Sequence, residues 1–178
     1  MKPTLSMESA TQLAVFLANR PGALARVCEA LAKTGINIHA LATSDTIDHS
    51  VVRMVVSDPT KALMLLGEAG VLAIESEVLM IETENEPGVL ARIAERLAEA
   101  KVNIEYVYLA GSPNAPKGLI ILRPSDVDKA QRALRDLQLL TSRFTGRHRQ
   151  IRRSAHAAVN ELPIVAAGPI KLALYDSG

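Results

Sequence analysis

Two rhythms of apolar and polar residues alternate along the chain. QLAVFLAN (12–19) is a short apolar run that ends on a polar residue, and it reads as a strand. The period then lengthens to that of a helix. Leu24, Val27, Cys28 and Leu31 fall at i, i+3, i+4 and i+7, while Arg26, Glu29 and Lys33 turn away. Pro21 suits the first helical turn, where its missing N–H has no partner to lose, and Gly35 stops the helix by accepting a left-handed backbone. INIHALATS (36–44) and SVVRMVVSD (50–58) read as strands around the polar stretch DTIDH, which predicts a hairpin. PTKALMLLGEAG (59–70) has Pro near its start and Gly after its end and reads as a second helix, and VLAIES (71–76) returns as a strand.

The β-α-β-β-α-β order then repeats. EVLMIETE (77–84) is a strand, and Leu90, Ile93, Ala94 and Leu97 rebuild the apolar helix stripe. VNIEYVYLA (102–110) and GLIILRP (118–124) are strands around the loop GSPNAPK. In SDVDKAQRALRDL, Ser125 or Asp126 offers an N-cap and Val127, Ala130, Leu134 and Leu137 line one face. LLTSRF (139–144) supplies a closing strand. The expectation is an α+β fold of two tandem ferredoxin-like βαββαβ units, each a four-stranded antiparallel sheet with two helices on one face. The units span 10–76 and 77–140, and a tail of unassigned structure covers 141–178. Almost no linker separates the units, so they should be held close.

The repeat is sharpest at one place. NRPGALARVCEALAKTGINI begins at Asn19 and NEPGVLARIAERLAEAKVNI at Asn85, with about half of the positions identical. Each copy lies where a strand turns into a helix, so unpaired backbone N–H groups and the positive end of the helix dipole face outwards. Such a place attracts a carboxylate without a charged side chain. Gly22 and Gly88 leave no Cβ in the way, and Asn19 and Asn85 can serve either end of a zwitterion or stabilise the turn. The bland alternative is a tight, well-capped turn and nothing more.

Both copies resemble the opening strand-turn-helix-strand of the ACT domain, the small-molecule-binding module of amino-acid metabolism. The resemblance runs over about residues 12 to 140 and rests on the N-x-P-G-x-L turn and the INI or VNI strand start. It implies βαββαβ units that pair their sheets or helices, and an amino-acid effector held at an interface by the glycine turn. Carried onto this chain, the implied ligand-binding residues are Asn19, Arg20, Pro21, Gly22, Ala23, Leu24 and Asn37, then Asn85, Glu86, Pro87, Gly88, Val89, Leu90 and Asn103. Arg20 and Glu86 give the two turns opposite charges, so the sites need not be equivalent. Many ACT domains are fused to the enzyme they regulate. No catalytic domain fits here, so the chain resembles free-standing tandem ACT proteins.

Composition narrows the rest. A net charge of +1 gives no global pull towards nucleic acid or anionic lipid, and no apolar run is long enough to span a membrane. One cysteine, Cys28, excludes an internal disulfide and fits a reducing, cytoplasmic setting. His39, His49, His148 and His156 have no metal-ligand spacing, and Asp45 and Asp48 read as solvated hairpin residues. No catalytic constellation, metal or cofactor is expected. RNA stacking on the sheet is rejected because VVRMVV and LIIL carry no aromatic, while Tyr106 and Tyr108, on one strand face, read as a buried or dimer-facing pair. The expected function is a non-catalytic regulator that senses a small amino acid, forms a homodimer and modulates a partner enzyme. The alternative is an assembly subunit with empty ACT units that grips an acidic protein or nucleic acid through Arg143, Arg147, Arg149, Arg152 and Arg153 of the tail.

Overall fold

The computed structural model describes residues 6–45, 49–112 and 114–140. The tail at 141–178 lies outside them, and with it the arginine cluster. In chain order the elements are β1 (Ser6–Ala18), α1 (Ala23–Lys33), β2 (Ile38–Asp45), β3 (His49–Val56) and α2 (Pro59–Glu68). They continue as β4 (Ala73–Glu84), α3 (Val89–Glu99), β5 (Ile104–Ala110), β6 (Lys117–Pro124) and α4 (Val127–Leu140). Two kinds of helix start recur. Asp58 and Asp126 cap α2 and α4, their Oδ1 atoms accepting from the Lys61 and Lys129 amides at 2.9 and 2.8 Å. Gly22 and Gly88 open α1 and α3 with no side-chain cap.

The strands form one antiparallel sheet in the order β2-β3-β1-β4-β6-β5. The two strands expected at 71–76 and 77–84 are a single long one, β4, because nothing in AIESEVLMIETE breaks the extended backbone. Its first half closes the first unit against β1, from Gln12↔Ser76 to Val15↔Ala73. Its second half opens the second unit, and there the N-terminal half of β1 lies beside it, with Met7↔Ile81 and Ala10↔Val78. That half of β1 holds the seat expected for 139–144. Residues 139 and 140 belong to α4 instead, and 141–144 lie outside the described residues. Each unit thus keeps four antiparallel strands and two helices by sharing β1 and β4.

Residues opposite one another in an antiparallel ladder share a face. Leu13 opposes Glu75 and Leu79 opposes Ser9, so Leu13, Val15 and Leu17 lie on the same face as Leu79 and Ile81. Both helix pairs cover that face. The first core joins those β1 residues to Val27 and Leu31 of α1 and Ala62 and Leu66 of α2. The second joins Leu79 and Ile81 to Ile93 and Leu97 of α3 and Ala130 and Leu134 of α4. The buried helix stripes are Ala23-Val27-Leu31 and Val89-Ile93-Leu97, with Ala23 and Val89 taking the places expected for Leu24 and Leu90. Leu24 is left 36% exposed.

The opposite face curls inward. Strands lie about 4.8 Å apart, so β5 should sit about 14 Å from β1 and 19 Å from β3 in a flat sheet. Yet Tyr106 and Tyr108 of β5 hydrogen-bond Gln12 of β1, and the Arg53 guanidinium of β3 lies 4.8 Å over the Tyr106 ring. The edge strands β2 and β5 approach each other across this concave side. Each edge strand skips one residue in its ladder, at His39 and at Glu105, matching places in the two units. Such bulges increase local twist and bend the strand. Ala40, small and buried, packs in one cluster with Tyr106 and Tyr108.

Candidate functional site

The first helix entrance is built from the end of β1. After Ala18, the Arg20 amide turns back to the Ala18 carbonyl (2.8 Å), and Gly22 takes φ 82°, ψ −8°. This left-handed backbone is strained for a residue with a Cβ, so the turn itself asks for glycine. The Ala23 amide reaches the Arg20 carbonyl at 3.2 Å and the Arg26 amide the Gly22 carbonyl at 3.1 Å. Among the described residues, the amides of Leu24 and Ala25 have no backbone acceptor, as expected of a first helical turn.

A groove of about 360 Å³ opens beside this turn, lined by Ala18, Asn19, Arg20, Ala23 and Leu24, with Thr43 from β2 and Ser50 and Val52 from β3. That volume suits a small molecule. Val52 is 1% exposed and Ala23 8%, so the floor is apolar, while Thr43, Ser50 and Arg20 add hydroxyls and a positive charge. The structure therefore gathers Asn19, Arg20, Ala23 and Leu24 around one space. Pro21 and Gly22 shape the turn and are exposed.

Sequence reading missed Arg26. A Cβ placed on Gly22 meets its Nη1 at 3.6 Å, and Arg92 stands in the same relation to Gly88, at 3.5 Å. Side chains of a helix lean towards its N-terminus, so a residue four positions on covers the turn before it. The repeated Ala-Arg after both P-G-x-L motifs carried that signal.

The second entrance shares the backbone and differs in what surrounds it. Gly88 has φ 88°, ψ −3°, the Val89 amide reaches the Glu86 carbonyl at 3.4 Å, and the Arg92 amide the Gly88 carbonyl at 3.1 Å. Pro87 is exposed and Leu90 half-buried. The Asn85 amide and its Nδ2 donate to the carbonyls of Pro116 and Ala115, at 3.0 and 3.1 Å, so the longer β5–β6 loop is tied to this turn. Through the matching ladders, Leu17↔Ser50 and Val52↔Val15 correspond to Thr83↔Gly118 and Ile81↔Ile120. Ser50 is thus replaced by Gly118, Thr43 by Leu109 and Arg20 by Glu86. The second copy has lost both hydroxyls and reversed the charge.

Asn37 and Asn103 do not join either turn. Strand β1 reaches His49 of β3 at the turn end, whereas Ile38 pairs with Val56 at the other, about 23 Å away at 3.3 Å per residue. β3 lies between β1 and β2, which keeps the start of β2 away from the turn. Both asparagines do the same local work. The Asn37 amide donates to Ser57 Oγ (3.0 Å) and its carbonyl accepts from the Ser57 amide (2.9 Å), and Asn103 and Ser125 repeat this at 3.1 and 2.9 Å. Cys28 is half-buried on α1. Among the described residues no three His, Cys, Asp or Glu side chains group as a metal site, and no helix is long and apolar enough to cross a membrane.

The comparisons agree with this architecture. The family described as an ACT domain pair matches residues 8–143. A Bacteroides thetaiotaomicron protein of known structure is 34% identical over 74% of this chain and 90% of its own, with a TM-score of 0.69. The ligand-free regulatory subunit of aspartate kinase from Thermus thermophilus is similar at 19% identity, covering 76% of this chain and 96% of its own, TM-score 0.59. That from Thermus flavus is similar at 22%, covering 76% and 96%, TM-score 0.53. At those identities the two kinase subunits share the fold. A search of curated proteins finds no match. A paired βαββαβ sheet with two glycine-opened helices, matched by the family over most of its length, places this chain among the ACT domain pairs.

Proposed function

We propose that the chain is a non-catalytic, cytoplasmic regulator that takes a small amino acid in the groove beside Gly22 and passes that state to a partner enzyme or a second copy of itself. The observation that carries this is the groove's composition. Open first-turn amides at Leu24 and Ala25, with Arg20 and Arg26 nearby, suit a carboxylate, and Thr43 and Ser50 stand over an apolar floor sized for a short side chain. The fold shared with aspartate kinase regulatory subunits supports a regulatory role. The second entrance, with Glu86, Leu109 and Gly118 in place of the cation and hydroxyls, serves as structure.

Thermal melts against each of the twenty amino acids test this. A ligand at about 100 times its Kd adds roughly 2.7 kcal/mol, which raises Tm by roughly 5–10 °C for a domain of this size. One small amino acid should give that rise in the wild type and in Glu86→Ala, and lose it in Arg20→Ala and in Thr43→Val. A panel with no shift, or a shift abolished only by Glu86→Ala, overturns the reading.

A further inference from the structure

We propose that the β2–β3 ladder couples the groove to the second unit, because consecutive residues on these strands face the groove on one side and an inter-unit polar cluster on the other. The inference rests on the groove being the effector site and adds how its occupancy is relayed. Thr43 and Val52 pair across the ladder and line the groove. The next residue along each strand, Ser44 and Arg53, turns to the concave face by the strict alternation of a strand. There Arg53 Nη1 donates to Ser44 Oγ at 3.0 Å, and the guanidinium stacks 4.8 Å over Tyr106 of the second unit.

Tyr106 is held in turn. Gln12 is fully buried, and its Nε2 donates to Tyr106 Oη at 2.6 Å and to Ser76 Oγ at 3.3 Å, while its Oε1 accepts from Tyr108 Oη at 3.1 Å. Both amide protons and the carbonyl are engaged, so every polar group of the Gln12 side chain is satisfied. A buried network of this kind is costly to disturb in part, which makes it a discrete element and not a soft one. A ligand that shifts the backbone at Thr43 and Val52 by a few tenths of an ångström carries Ser44 and Arg53 with it, since each pair shares a planar peptide bond. The stack on Tyr106 then tightens or breaks, and the set of β5 against the first unit changes. Only a difference in affinity between those two states transmits a signal.

Hydrogen exchange on the full chain tests the relay, with each of the twenty amino acids at about 10 mM as probe in the mass-action regime. The amino acid that raises Tm should slow exchange at 104–110 of β5 at least threefold, besides slowing it at 18–24 and 43–52. In Arg53→Met, which keeps the stem but removes the stack and the bond to Ser44, binding and protection at 18–24 should remain while the β5 effect disappears. A β5 effect that survives in Arg53→Met, or groove protection in the wild type with β5 unchanged, overturns the relay and leaves the sensor reading standing. If no amino acid binds, the sensor reading falls, and the ladder is judged without ligand. In urea, the unfolding constants of Val52→Ala, Tyr106→Phe and their double should depart from multiplicativity by threefold or more, although the two side chains face opposite sides of the sheet. Multiplicative behaviour overturns the coupling.

Discussion

At the scale of single residues, glycines that look alike in the sequence do different work. Gly22 and Gly88 hold φ near 80–90°, so Gly22→Ala or Gly88→Ala should each cost about 1–2 kcal/mol in urea unfolding, from backbone strain alone. Gly67, inside α2 with nothing within 4 Å of a new Cβ, should behave oppositely. Gly67→Ala should stabilise by roughly 0.5–1 kcal/mol in the same assay. Sequence showed the two turn glycines and read them as clearances for a ligand. What demands them is the left-handed backbone of the folded turn. Tyr108 gives the residue-scale pH dependence. Burial first, then the neighbouring Tyr106, push its phenol well above the ordinary 10.0, against a smaller opposing pull from Arg53. Above pH 10 the unfolded chain loses this proton while the folded one keeps it, so the unfolded state binds fewer protons and stability falls as pH rises. The slope from this residue approaches about 1.4 kcal/mol per pH unit. Tyr108→Phe should be less stable at neutral pH by about 1 kcal/mol, through the lost bond to Gln12, and show a flatter decline above pH 10.

At the scale of elements, the helices were legible because their polar and apolar positions repeat. The expected face of α4 is the packed one, while in α1 and α3 the buried stripe starts one residue earlier than expected. The pattern around Leu24 and Leu90 is satisfied by two neighbouring stripes. Packing against the sheet selects the one through Ala23 and Val89. That rotation leaves Leu24, already among the residues the resemblance implies for ligand binding, exposed enough to line the groove. The aspartate caps are simpler. Asp126 was visible as a cap candidate, and Asp58 plays the same part for α2. Asp58→Ala and Asp126→Ala should each lower stability by about 1 kcal/mol in thermal or urea melts, while Asp128→Ala, in the first turn of α4, should cost only a few tenths through the helix dipole. Equal losses at all three positions would show charge, not the cap bond, to be the cause. The asparagines opening β2 and β5 were legible as a repeated feature but not in their role, because only the order of strands reveals that β3, and not β1, lies beside β2.

At the scale of the whole described fold, the sequence displayed two copies of one unit and concealed that they are interlocked. The repeat suggests a cut near residue 76, yet β4 runs straight through it and β1 is long enough to serve both units. Its polar N-terminal half, SMESA, has no apolar run to announce a strand; pairing with β4 makes it one. The consequence is an asymmetry between the halves. A fragment of residues 1–76 contains all four strands of the first unit, namely β1, β2, β3 and the first half of β4. A fragment of 77–140 contains three, and leaves the second half of β4 unpaired on the side where Met7 packs onto the second core. It also loses Gln12, the partner of both tyrosines on the concave face. The 77–140 fragment should therefore show no cooperative melt by circular dichroism, and a peptide spanning residues 6–17, added in trans, should restore one, since it returns the missing strand and Gln12 together. The same peptide with Met7→Asp and Gln12→Ala should not. A cooperative melt of 77–140 by itself would mean that the second unit closes its own sheet, and that the shared strands are a convenience of the linked chain and not what holds the second core shut.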